Sequence, residues 1–165
     1  MGREKLGGVM QAIARVREHQ VVFCGLEVLR LIGERMEDET DVDSQDIQVV
    51  LVFMRDIVHR CLDNTDEILR FASLEQNVAR HRQAKLMFEE LTRAEGREFA
   101  TACRIYADLL AHSIAEDRRC LCDLDCDALT LSQFYEWEHE VAILARPHGQ
   151  TLHQLEMKYT SPHCI

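Results

Sequence analysis

The chain has 165 residues, of which 47% are apolar, and a formal net charge of -10 at pH 7. This length suits one domain with its own core, and the apolar share excludes a disordered chain. The negative charge argues against a nucleic-acid or anionic-membrane surface, because phosphate groups would be repelled. Two prolines and seven glycines leave few places to break a helix, so the composition predicts an all-α fold.

The sequence also indicates where the protein resides. No apolar run approaches the roughly 20 residues of a membrane-spanning helix, and the first residues lack the apolar core of a signal peptide. Seven cysteines in such a chain indicate reduced thiols, not a disulfide framework. We therefore expect a cytoplasmic protein with no membrane partner and no nucleic-acid partner.

The first two predicted helices are long and are joined by an acidic loop. Helix A is expected over about residues 5–37, and the acidic stretch 37–43 ends it. Ser44 offers an N-cap for helix B, which continues to about residue 72. Its apolar residues recur at helical spacing, namely Ile47, Leu51, Met54, Val58 and Leu62.

Two more long helices and a shorter one follow. Helix C is expected over about residues 74–94, and Gly96 separates it from helix D, over about 97–121. Four long helices with short loops predict an antiparallel up-down-up-down bundle over residues 1–128. Thr130 and Gln133 fit a capping box for a fifth helix within residues 129–165, which we expect packed on the bundle or at its periphery. Its polar residues are expected to face solvent, namely Glu136, Glu138 and His139.

Each of the four long helices carries a histidine or carboxylate group. The groups are Glu18-His19, Asp63-x3-Glu67, His81-x3-Lys85 and His112-x3-Glu116-Asp117. Residues four apart lie on the same helix face, so inward faces would bring imidazoles and carboxylates to one buried point. Four-helix bundles build dinuclear metal sites in this way, and this ligand mixture suits iron, with manganese as the alternative.

These motifs resemble those of the hemerythrin-like (HHE cation-binding) domain family over about residues 10–125. The resemblance lies in Glu18-His19, the run FMRDIVHRCLDNTDEILRF, the run RHRQAK and, most specifically, YADLLAHSIAED. It implies an antiparallel four-helix bundle around a non-haem di-iron centre that binds or reacts with dioxygen, peroxide or a related small ligand. The ligands that it implies are His19, Glu67, His81, His112 and Glu116, with the two glutamates as bridges.

Two positions depart from the family pattern. Asp63 replaces the usual helix-B ligand histidine, and Lys85 replaces the second helix-C histidine of oxygen carriers. Extra carboxylate favours the ferric state, so we expect oxidase, oxygenase or peroxidase-like chemistry over reversible oxygen carriage. His59, one turn below Asp63, is an alternative ligand. Lys85 has three open roles: to pair with Asp63 or Glu67, to supply a proton or hold an anionic ligand, or to reach solvent.

Other residues carry weaker indications. Tyr106 is expected in the core, with a hydrogen bond to a metal ligand as the alternative. Cys120, Cys122 and Cys126 lack the spacing of a zinc site and are interpreted as incidental thiols, with a redox-sensing dithiol as the alternative. Two further functions stay open besides di-iron chemistry. One is a sensor of oxygen, nitric oxide or redox state, and the other is a helical interaction module that has lost its metal.

Overall fold

The computed structural model describes residues 20–123 and 128–160, without the side chains of residues 20, 61 and 122–131. All regular structure in these ranges is helical, which confirms the all-α class. The first rod is α1 (Gln20–Glu37). The second runs without a break through α2 (Ser44–Phe53), a π-helical turn (Met54–His59) and α3 (Arg60–Phe71). Then follow α4 (Glu75–Arg93), α5 (Gly96–Asp123), α6 (Ala128–Ala145), a 3-10 turn (Arg146–His148) and α7 (Gly149–Thr160).

Two helix starts show how the local sequence sets these bounds. The cap of α2 is Asp43, whose carboxylate accepts a hydrogen bond from the backbone N–H of Gln45 at 2.9 Å. The predicted cap, Ser44, is wrong by one residue, because the extended backbone at Asp43 lets its side chain reach back to the first turn. Gly96 begins α5 with a φ of 59°, a left-handed conformation that glycine adopts without strain.

The π-helical turn was not predicted from the sequence. It lies between α2 and α3 and widens the helix locally, a distortion that is frequent at functional sites. Val58 and His59 are adjacent in sequence, and both are buried at the end of this turn. The turn therefore places a histidine inside the protein beside an apolar residue of the core.

The main apolar core surrounds α1, which packs along α5 and α7. Leu29 and Ile32 of α1 are fully buried, and α7 contributes Leu152, Leu155 and Tyr159 to the same cluster. Residues 149–160 thus form a helix that contributes to the main core. The 3–4 spacing of the α7 residues explains it, because such spacing gives a helix one apolar face.

A second, smaller apolar cluster lies at the other end of α3 and α5. It contains Ile68, Leu69, Val78, Leu121 and Phe134. On α3, Leu62 belongs to the main cluster and Leu69 to the second, with the buried Asp66 between them in sequence. On α5, Asp117 lies in the same way between Leu110 and Leu121. Buried polar residues therefore separate the two apolar clusters.

Candidate functional site

His81 of α4 is fully buried, and both of its ring nitrogens contact carboxylates. Nδ1 lies 2.6 Å from a carboxylate oxygen of Asp66 on α3, and Nε2 lies 2.5 Å from one of Asp117 on α5. Burial by itself lowers the pKa of His81, but hydrogen bonds and charges from Asp117 and Asp66 outweigh it and raise that pKa to about 9. At neutral pH the ring is therefore an imidazolium that donates both N–H groups.

Asn77 completes this arrangement one turn before His81. Its amide nitrogen donates a hydrogen bond to the second carboxylate oxygen of Asp117 at 2.9 Å. Asp66, Asn77, His81 and Asp117 are all buried, and we call these four residues the polar layer. Hydrogen bonds between charged groups are strong in such an interior, so the layer ties α3, α4 and α5 together.

Lys85 lies one turn after His81 and carries a second positive charge to the edge of the polar layer. Its ammonium group pairs with Asp63 and lies 4.0 Å from a carboxylate oxygen of Asp66. Partial burial lowers the pKa of Lys85. Of the roles left open from the sequence, the structure shows the ion pair with Asp63. Two cations thus face three carboxylates, those of Asp63, Asp66 and Asp117.

A separate buried pair joins the π-helical turn to α5. Nε2 of His59 lies 2.6 Å from the hydroxyl oxygen of Tyr106, and the ring of Phe88 packs against both side chains. Burial, with a smaller effect from Lys85, lowers the pKa of His59 to about 4, so its ring is neutral at pH 7. Burial likewise raises the pKa of Tyr106. Tyr106 is thus a core phenol, as predicted, and its partner is His59.

His59 also forms part of a groove between the second rod and α4. The groove has a volume of about 750 Å³, and Asp63, Lys85 and Phe88 line it as well. A small ligand in this groove would meet a neutral imidazole and an ammonium group. The groove does not reach the imidazole of His81, which is fully buried.

The predicted ligands that fall within the described residues do not converge. His19 lies outside the described residues, and the side chains of Glu67 and His112 are exposed. Glu116 is held by Arg119, whose Nη2 lies 2.7 Å from its carboxylate. The expectation that Asp63, Glu67, His112 and Glu116 meet at His81 is therefore corrected, because these four side chains lie on or near the surface.

The inward-facing carboxylates are the sequence neighbours of the predicted ones. Asp66 takes the inner place expected for Glu67, and Asp117 the place expected for Glu116. The apolar spacing of the sequence already contains this information. The helix-B stripe ends at Leu62, and one further turn along the same face leads to Asp66. The sequence motifs gave no sign of Asp66 or Asn77, and they named Asp117 only beside Glu116, which was assigned as the ligand. The acidic residues were assigned from the motif and not from the phase of the apolar stripe.

The donor chemistry of the polar layer does not fit a metal pair. Among residues 20–123 and 128–160, no three His, Cys, Asp or Glu side chains are grouped to hold an ion. Asp66 and Asp117 contact opposite nitrogens of His81. An ion bound to one of these nitrogens would therefore have only one of the two carboxylates beside it. Leu62, one turn before Asp66, carries no donor atom, and Lys85, one turn after His81, carries a positive charge.

Two expectations beyond the centre are also resolved. Glu138 was expected in solvent, but it is 5% exposed and lies 3.3 Å from Nε of Arg118. This burial is possible because the guanidinium compensates the charge. Glu136 and His139 are exposed, as expected. Cys120 is a partly exposed free thiol, whereas the side chain of Cys122 and all of Cys126 lie outside the described residues.

Comparisons with known proteins add no identification. No protein-family model, curated protein or solved structure gives a significant match to this chain. Within the part of the chain that the structure describes, none of the helices combines the length and apolarity needed to cross a bilayer. The hemerythrin-like resemblance therefore stays a prediction from the sequence motifs.

Proposed function

We propose that this chain is a helical interaction module with a hemerythrin-like bundle that works without a metal pair. The contacts of both His81 nitrogens with Asp66 and Asp117 carry the proposal. An imidazole binds a metal through a deprotonated nitrogen, whereas each nitrogen of this ring lies within hydrogen-bond distance of a carboxylate. The buried cation of the centre is thus a protonated histidine.

Two neighbouring positions support the same reading. Leu62, one turn before Asp66, offers no donor atom, and Lys85, one turn after His81, brings a positive charge in place of a neutral ligand. A buried carboxylate needs a compensating charge, and here His81 and Lys85 supply it. A metal ion is therefore not required to stabilise the carboxylates.

We also propose that the first four rods form an antiparallel up-down-up-down bundle. The turns between them are short, at residues 38–43, 72–74 and 94–95. Short connections favour antiparallel neighbours. The contacts of α4 with both α3 and α5, and of α1 with α5, are those that a closed bundle of this topology requires.

Metal analysis of the full chain, produced in iron-rich medium, tests the metal-free reading. We expect iron and manganese well below one equivalent per chain, and imidazole nitrogen NMR should show both His81 nitrogens protonated at neutral pH. The His81→Gln variant should lose these resonances, whereas His112→Gln, which changes an exposed histidine, should keep them. About two irons per chain, lost in His81→Gln, would contradict the proposal.

A di-iron protein acting on dioxygen, peroxide or a related ligand is the second candidate. One observation favours it: α3, α4 and α5 bring Asp66, His81 and Asp117 to one buried place. The buried hydroxyl of Ser113, one turn before Asp117, also has no hydrogen-bond partner among the described residues. If iron binds, it displaces the proton of His81. Metal content that rises with pH and falls in Asp117→Asn would support this candidate.

A further inference from the structure

The C-terminal end of α3 and the middle of α6 form a groove with apolar walls and an acidic rim. Its volume is about 510 Å³, and it is lined by Glu67, Ile68, Phe71, Glu136, Trp137 and Glu140, among others. We call it the acidic groove. None of the residues that line it belongs to the polar layer.

The apolar part of the acidic groove is open to water. The side chain of Phe71 is 75% exposed, and Trp137 beside it is partly exposed. Leu144, two turns after Trp137 on the same face of α6, is 40% exposed and extends the apolar strip. Exposed apolar side chains beside a polar rim are typical of an interaction surface.

The rim of the acidic groove carries three carboxylates. Among the described residues, no hydrogen bond or ion pair engages the carboxylates of Glu67, Glu136 and Glu140. The neighbouring Glu138, in contrast, is paired with Arg118. Three unpaired carboxylates around apolar walls create a negative potential that selects a cationic partner with an apolar face.

We propose that the acidic groove binds a basic amphipathic helix of a partner protein. Apolar residues of that helix contact Phe71 and Trp137, and its lysines or arginines pair with the three glutamates. The α6 face from Gln133 to Leu144 is roughly 16 Å long at 1.5 Å per residue, which matches about three turns of a partner helix. This proposal rests on the proposed function as an interaction module and names the class of partner.

Trp137 is the only tryptophan of the chain, so its fluorescence reports directly on the groove. The probe is a synthetic helical peptide with leucines on one face and lysines on the flanks. The control peptide carries glutamates in place of the lysines. The lysine peptide should shift the emission of the full chain to shorter wavelength with a saturable, salt-sensitive curve, and the glutamate peptide should not.

Matched variants assign the binding to the acidic groove. Changing Glu67, Glu136 and Glu140 together to glutamine should weaken peptide binding at least about tenfold. The control changes Glu34, Glu90 and Glu95, which are also exposed, to glutamine and should leave the affinity unchanged. Both variants alter only exposed side chains, and circular dichroism verifies that each is folded. Equal affinities of the two variants would overturn the proposal.

Other occupants give different results, each of which overturns the proposal. Emission that shifts with protein concentration alone would assign the groove to a second copy of the chain. Emission that changes without peptide when Arg15 and Arg17 become glutamate would assign it to residues 1–19 of the same chain. Absence of any peptide-induced shift is also a negative result. A protein that holds iron and still binds the peptide would refute only the metal-free proposal. A protein that holds no iron and does not bind the peptide would refute only this inference.

Discussion

Nε2 of His81 lies 2.5 Å from a carboxylate oxygen of Asp117, and neither side chain is appreciably exposed. This bond connects α4 to α5, while Asp66 on the opposite side of the ring connects α4 to α3. A buried imidazolium held by two carboxylates fixes the relative positions of three helices, because sliding any one of them would leave a charge unpaired. The stability of the fold should therefore depend on the protonation of this one ring.

Raising the pH should destabilise the protein through His81. Its pKa is about 9 in the folded chain and close to 6.5 when unfolded, so folding favours the protonated form. Protonation of His81 therefore stabilises the folded protein by about 3 kcal/mol at pH values below about 6.5. This stabilisation is lost as the pH rises through the folded-state pKa of about 9. Urea unfolding between about pH 6.5 and 9 measures this loss of unfolding free energy. The decline should flatten in His81→Gln; a slope that persists unchanged would assign the alkaline loss to other groups.

Lowering the pH should destabilise the protein through His59, with the opposite sign. Burial holds the pKa of His59 at about 4, below the unfolded value near 6.5, so folding favours the neutral ring. The neutral ring of His59 therefore contributes to stability at pH values above about 6.5, and this contribution is lost as the pH falls through the folded-state pKa of about 4. Carboxylates titrate in the same range, so the relevant quantity is the difference in unfolding free energy between wild type and His59→Leu. That difference should change steadily between about pH 6.5 and 4.

Asp117→Asn should destabilise the protein at neutral pH by about 2–4 kcal/mol, because it leaves a buried cation with one carboxylate in place of two. The pKa of His81 should fall in the variant, so the loss should shrink as pH rises toward 9. Asp108→Asn, on an exposed face of α5, is the matched control and should change stability little. Chemical denaturation and histidine NMR titration measure the two effects. A loss of equal size at high pH would show that packing, not charge, is responsible.

The helices could be predicted closely from the sequence, since apolar spacing and one glycine determine most of their bounds. Helices B, C and D were predicted within about two residues of the observed ends, and Gly96 marks the observed start of α5. The π-helical turn was not predicted, since its sequence MRDIVH contains no glycine or proline that would mark a change in the helix. The position of His59 depends on that turn.

The candidate centre was only partly predictable. His81 is buried as expected, but the acidic residues Asp66-Glu67 and Glu116-Asp117 form adjacent pairs of which only one member can face inward. The family motif favoured the wrong member of each pair, whereas the phase of the apolar stripe indicates the right one. Asn77 has no distinctive sequence pattern, so its role follows only from its contact with Asp117.

Tyr106→Phe should destabilise the protein by about 1–3 kcal/mol, because it removes the hydroxyl partner of a buried imidazole. Burial keeps the ring of His59 neutral. In the variant, Nε2 of this buried ring has lost its hydrogen bond with Tyr106. The double variant His59→Leu/Tyr106→Phe should recover part of the loss, since both polar groups are then absent. Urea unfolding at pH 7 compares four proteins: the wild type, His59→Leu, Tyr106→Phe and the double variant. Additive losses in the double variant would show that His59 and Tyr106 do not depend on one another, and would contradict the role assigned to their hydrogen bond.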